Sequence, residues 1–141
     1  MLLALVIAQL PLCYLAASGQ TVWQSGAGSH LAVGQELRAS LSTIGGLGLL
    51  VATVLVAPFV EEMLYRGYLL GGLMTRVPSI VAVIVSALLF VTLHAEAANT
   101  VAALCLGLGT AFCGVRTRSI MPGIVVHAAN NAFGMWYSTL G

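Results

Sequence analysis

The stretch from Leu41 to Leu70 is apolar almost throughout and carries its only charges, Glu61, Glu62 and Arg66, in one tight group. A membrane-crossing helix needs about 20 mostly apolar residues, so this stretch can cross a bilayer and project beyond it. Four other runs come near that length: Met1–Ala17, Ser79–Ala95, Thr100–Val115 and Ile120–Leu140. Turn signals separate the runs at Ser18–Gln35, at Gly71-Gly72 to Pro78, around Asn99 and at Arg116–Pro122. Pro122 stands where a helix would begin, a position that tolerates its missing N–H. The expected fold is all-α, a polytopic membrane bundle of about five transmembrane helices.

The supply of charge points the same way. Of 141 residues 60% are apolar and 6% charged, with a mean hydropathy of +1.03. Soluble domains average about 25% charged residues, because water-facing surface must be covered by groups water solvates. This chain cannot cover such a surface, and lipid is its natural solvent. A net charge of +1 and the lack of any basic run argue against a nucleic-acid partner. Cys13, Cys105 and Cys113 are scattered through apolar runs, as buried free thiols would be.

The length suits one functional domain. Residues 1–40 read as an N-terminal span with a polar Gly/Ser-rich loop, and residues 41–141 as the core. Ala16-Ala17-Ser18 offers small residues for signal-peptide cleavage, but Met1–Ala17 lacks the basic start of such peptides. Beginning abruptly in an apolar run, it reads better as a membrane span of a truncated chain.

Arginine sets the expected orientation. Arg66 and Arg76 lie toward the second-to-third connection, Arg116 and Arg118 occupy the fourth-to-fifth, and the third-to-fourth, around Glu96, has no positive residue. If the spans alternate, both arginine-bearing turns share one side, which the positive-inside rule places in the cytoplasm. Small residues recur where helices could approach closely: Gly45, Gly46 and Gly48 on the second span, and Ala103, Gly107 and Ala111 on the fourth. Glu96 and His30 read as solvated loop residues.

Ionisable groups at membrane depth cost roughly 2.5–3.5 kcal/mol each on insertion scales, and their default reading is functional. Glu62 and Arg66 are four apart and project within about 40° of each other, so they can neutralise one another as a helix-stabilising pair. Glu61 points about 100° away and has no such partner in its own helix. A carboxylate in that state is suited to taking and returning protons. His94 closes the run Phe90-Val91-Thr92-Leu93-His94 and lies as far in sequence from the turn at Val77-Pro78 as Glu61 does. Antiparallel helices rise equally per residue, so Glu61 and His94 should meet at similar depth. His127 and Asn131, four apart, share a face of the fifth span, somewhat nearer the arginine-rich turns. They suit an oxyanion-stabilising pair, or equally a polar clamp between helices.

With these residues in view the chain resembles the family of intramembrane CAAX proteases and bacteriocin-processing enzymes, which also contains the Abi-type bacterial membrane proteins. The family's Glu-Glu pair with Arg four after the second Glu matches Glu61, Glu62 and Arg66. Its Phe with His four later matches Phe90 and His94, and its His with Asn four later matches His127 and Asn131. The resemblance runs from about Leu41 to the C-terminus, and family members often have further spans on either side. It implies that Glu61 and His94 hold and activate a water. His127 and Asn131 would stabilise the oxyanion, with Glu62 and Arg66 in support.

Family members are often labelled metalloproteases, and Glu61, His94 and His127 could supply three zinc ligands. There is no His-Glu-x-x-His turn, however, and an ion that consumed Glu61 would leave only Glu62, tied to Arg66, as a base. The favoured expectation is glutamate-dependent hydrolysis without a cofactor.

The implied substrates are peptides or membrane-associated proteins, prenylated in the CAAX case and bacterial peptides in the other. The expected setting is a bacterial plasma membrane, with the site reached from the cytoplasmic side. A non-catalytic immunity-type membrane protein is the alternative. A transporter is less well supported, because the polar residues gather around one depth and no internal repeat is seen. Aspartyl or serine intramembrane proteolysis fares worse, because the chain has no Asp and no Ser in a nucleophile-like turn near the intramembrane histidines.

Overall fold

The computed structural model describes Gln35, residues 39–94 and residues 100–138. Met1–Ala17, His30 and Glu96 therefore lie outside the described residues. Among the described residues four long helices follow one another: α1, Ile44–Met74; α2, Ser79–Leu93; α3, Thr100–Thr117; and α4, Met121–Ser138. No strand occurs among the described residues.

Local chemistry sets the helix ends. The Thr43 hydroxyl accepts from the Gly46 N–H at 3.1 Å and caps α1. Pro78 stops the chain from continuing α1 and stands immediately before α2. Arg118 adopts a left-handed conformation (φ 51°) just past α3, which turns the chain toward α4. Gly71 and Gly72, expected to open a turn, remain helical, and the turn begins at Thr75. Nothing in the four residues Gly71–Met74 breaks the helix, whereas Pro78 forces its end.

Helix α1 is not uniform. Two π turns, Ala52–Val56 and Met63–Leu70, flank the short α-helical piece Ala57–Glu62 that carries Glu61 and Glu62. A π turn takes an extra residue, so each one rotates the following helix face and shortens its rise per residue.

The helices alternate in direction. Helix α3 packs between α2 and α4, and α1 closes the bundle against both. One buried cluster joins Tyr65, Phe90, Ala103, Leu106, Cys113 and Val126, and a second joins Leu70, Ala82, Val83 and Ala111. The α2–α3 approach is tight at Gly107, where a Cβ would stand 3.3 Å from the Ala87 Cα. Ala103 and Ala111 are buried on the same face, as their spacing suggests. Gly45 and Gly48 are exposed and approach no other helix among the described residues, contrary to expectation; of the three, Gly46 is enclosed, against the Ser40 carbonyl. Cys105 and Cys113 are free thiols.

Burial runs opposite to that of a soluble protein. Ile80, Ile84 and Leu88 on α2, and Leu55, Phe59, Val60, Met63 and Leu64 on α1, face outward, while Glu62, Arg66, Ser86, Thr110 and His127 are enclosed. Such an outer surface is suited to lipid, and water would penalise it.

Of the five expected spans, α1 and α3 are long and apolar enough to cross a membrane. Helix α2 has 15 residues, or about 23 Å at 1.5 Å per residue, short of a roughly 30 Å hydrocarbon core. Arg76 and the Arg116/Arg118 pair stand at the same end of the alternating bundle. Arg66 does not belong with them: it is enclosed, 4% exposed, because its partner Glu62 and its helix face are turned inward.

Candidate functional site

Glu62 and Arg66 form the floor of a polar cluster inside the bundle. Arg66 Nη1 lies 3.2 Å from Glu62 Oε1 with both side chains fully enclosed, and Arg66 Nη2 donates to the Gly107 carbonyl on α3 at 3.0 Å. The guanidinium also lies over the Phe90 ring, 4.5 Å from its centroid. The pairing expected from the four-residue spacing is therefore present. Its contact with α3 could not be read from α1 alone.

His127 on α4 joins both glutamates. Its Nδ1 is 3.2 Å from Glu62 Oε1 and its Nε2 is 3.7 Å from Glu61 Oε2. His94 sits one residue beyond α2 in a non-helical conformation (φ −98°, ψ 50°), where the sequence suggested the helix would still run. From there its Nδ1 contacts the Phe90 carbonyl at 3.0 Å and its Nε2 is 3.7 Å from Glu61 Oε2. A carbonyl oxygen only accepts, so the contact places a proton on His94 Nδ1 and turns Nε2 toward Glu61.

The expected downward offset of His127 from Glu61 is not seen. Counting 1.5 Å per residue overstates the height of Glu61, because the π turn Met63–Leu70 lies between it and the connection to α2.

Phe90 is fully enclosed and organises these groups through its ring. It stands edge-on to Tyr65 and His127, with centroids 5.2 and 5.5 Å away, and tilted against His94 at 4.4 Å. The Asn131 Nδ2 donates to the Thr53 carbonyl on α1 at 3.0 Å. One of its two N–H groups is thus engaged as a clamp between helices.

Exposure divides the cluster. The side chains of Glu61 and His94 are 30% and 32% exposed, whereas that of His127 is 2% exposed and that of Glu62 none. Glu61 Oε2 itself is buried and has no hydrogen-bond partner among the described residues. Both of its 3.7 Å contacts are too long for direct hydrogen bonds and suit a bridging oxygen atom.

Gly123 was not singled out by its sequence context, yet it lines the cluster. A Cβ there would lie 2.6 Å from Glu62 Oε2, and that carboxylate cannot easily retreat, being held by Arg66 and His127. Gly123→Ala is expected to destabilise the protein by about 1–3 kcal/mol, the usual cost of overpacking, and to slow any reaction that depends on His127. A thermal melt of the purified variant, read beside its turnover, checks this.

An enclosed carboxylate–guanidinium–imidazole cluster with one half-open glutamate, set in a bundle with an apolar exterior, defines a candidate intramembrane active site. The family described as Type II CAAX prenyl endopeptidase Rce1-like matches residues 43–133, and the chain belongs to it. Membership makes it a membrane-integral protein of a CAAX-type protease family, whose members act on peptide or prenylated protein substrates. No curated protein and no solved structure matches the chain. Glu61, Glu62, Arg66, Phe90, His94, His127 and Asn131 all fall within the matched region.

The residues can be tested against zinc. A tetrahedral zinc bound at about 2.0–2.1 Å sets its donors about 3.4 Å apart. Glu61 Oε2 stands 3.7 Å from each imidazole Nε2, a little wider than that spacing. Among the described residues no group of three His, Cys, Asp or Glu is disposed to hold a metal ion.

Proposed function

We propose that the protein is an intramembrane endopeptidase in which Glu61 and His94 activate a water for attack on a peptide carbonyl. The observation that carries this reading is the buried, unpartnered Glu61 Oε2 held 3.7 Å from both His94 Nε2 and His127 Nε2. A water between Glu61 and His94 gives its proton to Glu61 as its oxygen bonds to the carbonyl carbon. The carbonyl oxygen becomes an oxyanion, and the remaining Asn131 N–H and His127 Nε2–H donate to it. With Nδ1–H on Glu62, His127 can donate from Nε2 only when its ring carries both protons. Collapse of the tetrahedral adduct breaks the C–N bond, and Glu61 returns its proton to the departing amine. Glu62 and Arg66 hold His127, while Phe90 holds both rings.

The substrate we assign is a membrane-associated peptide or protein, prenylated near its C-terminus. The half-open Glu61 lies next to Val60 and one turn before Leu64 in α1, both outward-facing, a setting that a lipid-dissolved chain can reach. Placing the end that bears Arg76, Arg116 and Arg118 in the cytoplasm gives the orientation, with a bacterial plasma membrane as the expected setting. The test is release of a C-terminal tripeptide from a farnesylated CAAX peptide by the protein in lipid vesicles. Chelation is expected to leave the rate unchanged. Loss of activity on chelation, with recovery on adding zinc, would overturn the metal-free mechanism.

A further inference from the structure

The first π turn of α1 and the Asn131 clamp share one cause. In that turn the Ala57 N–H bonds to the Ala52 carbonyl, five residues back. The next bond in the same register would run from residue 58 to the Thr53 carbonyl. Residue 58 is a fully buried proline with no N–H to give. Thr53 O is therefore left without a backbone donor in a half-buried setting, where an unpaired carbonyl is costly. Asn131 Nδ2 fills that position at 3.0 Å. The bond also fixes which way the carboxamide faces, because a carbonyl accepts only from the amino side.

We propose that Pro58 is a positioning residue for the active site. By orphaning the Thr53 carbonyl it anchors the Asn131 carboxamide, aims that side chain's second N–H, and sets the register of α4, hence of His127, against Glu61. The role of the second N–H rests on the reading of Asn131 as an oxyanion donor; the anchoring itself does not.

A double-mutant cycle tests this with Pro58→Ala, Asn131→Ala and the pair, each followed by thermal melting and by steady-state cleavage in vesicles. Pro58→Ala supplies the missing N–H, so the Thr53 carbonyl no longer needs Asn131. Asn131→Ala should lower the melting temperature in the native background and have much less effect beside Pro58→Ala. Pro58→Ala alone should lower kcat by about ten- to a hundredfold with KM unchanged, the effect of a displaced group. The pair should be no slower than Asn131→Ala alone. Additive melting shifts, with independent multiplication of the two kcat effects, would overturn the proposal. Pro58→Val, closer to proline in volume, replaces Pro58→Ala if the smaller residue prevents folding. If Glu61→Gln leaves cleavage intact, the catalytic reading fails while the melting cycle still decides whether Pro58 anchors Asn131.

Discussion

Glu61→Gln is expected to abolish peptide hydrolysis, lowering kcat by about 10²–10⁴, the usual contribution of a positioned acid–base group, while the protein inserts and melts as before. Glutamine has the same shape and fills the same space, but its amide cannot take a proton from water and return it to an amine. The fold should tolerate the change because Glu61 Oε2 has no hydrogen-bond partner to lose among the described residues and the side chain is 30% exposed. Glu62→Gln is the matched control. It removes the charge between Arg66 and His127, so activity and stability should fall together. Single-turnover cleavage, with a thermal melt on the same preparations, separates the two glutamates. Retained turnover in Glu61→Gln would remove the proposed proton carrier.

That separation was legible in the sequence, since four-residue spacing ties Glu62 to Arg66 and leaves Glu61 with no partner in its own helix. The meeting of Glu61 with His94 could also be read, because both lie equally far from one connection and antiparallel helices rise together. The rest depended on how α1 is wound. Two π turns rotate its faces away from those of a regular helix, and a periodicity count cannot register such a shift. Arg66 reads both as the partner of Glu62 and as a charge toward the connection to α2; the first holds, and the guanidinium is enclosed beneath Phe90. The link from His127 to both glutamates was hidden for the same reason, since depth counted at 1.5 Å per residue put it too low. Pro58 was the one visible sign of irregular winding. Its consequence is the Thr53 carbonyl capped by Asn131, a pair 78 residues apart in sequence, and no local pattern carries it.

Arg66→Met should be the most destabilising single change in the cluster. The substitution keeps an unbranched side chain of comparable length but removes the charge opposite Glu62, whose carboxylate is fully enclosed. Breaking a buried ion pair from one side costs about 3–5 kcal/mol, because the remaining charge stays desolvated and unpaired. Here the Gly107 carbonyl also loses the guanidinium donor and Phe90 loses the cation on its face. Arg66→Lys should rescue little: one ammonium cannot reach Glu62 and the Gly107 carbonyl together while lying flat on a ring, as the planar guanidinium does. The double variant Arg66→Met/Glu62→Gln should recover much of the loss, since replacing both members of an enclosed pair leaves no bare charge. Its turnover should stay low, because His127 Nδ1 would then face a neutral amide where Glu62 had held a carboxylate. Melting temperatures of the three variants in one detergent, read beside their cleavage rates, test the division. Recovery of both stability and turnover in the double variant would mean that the ion pair supports the fold alone and that His127 does not depend on it.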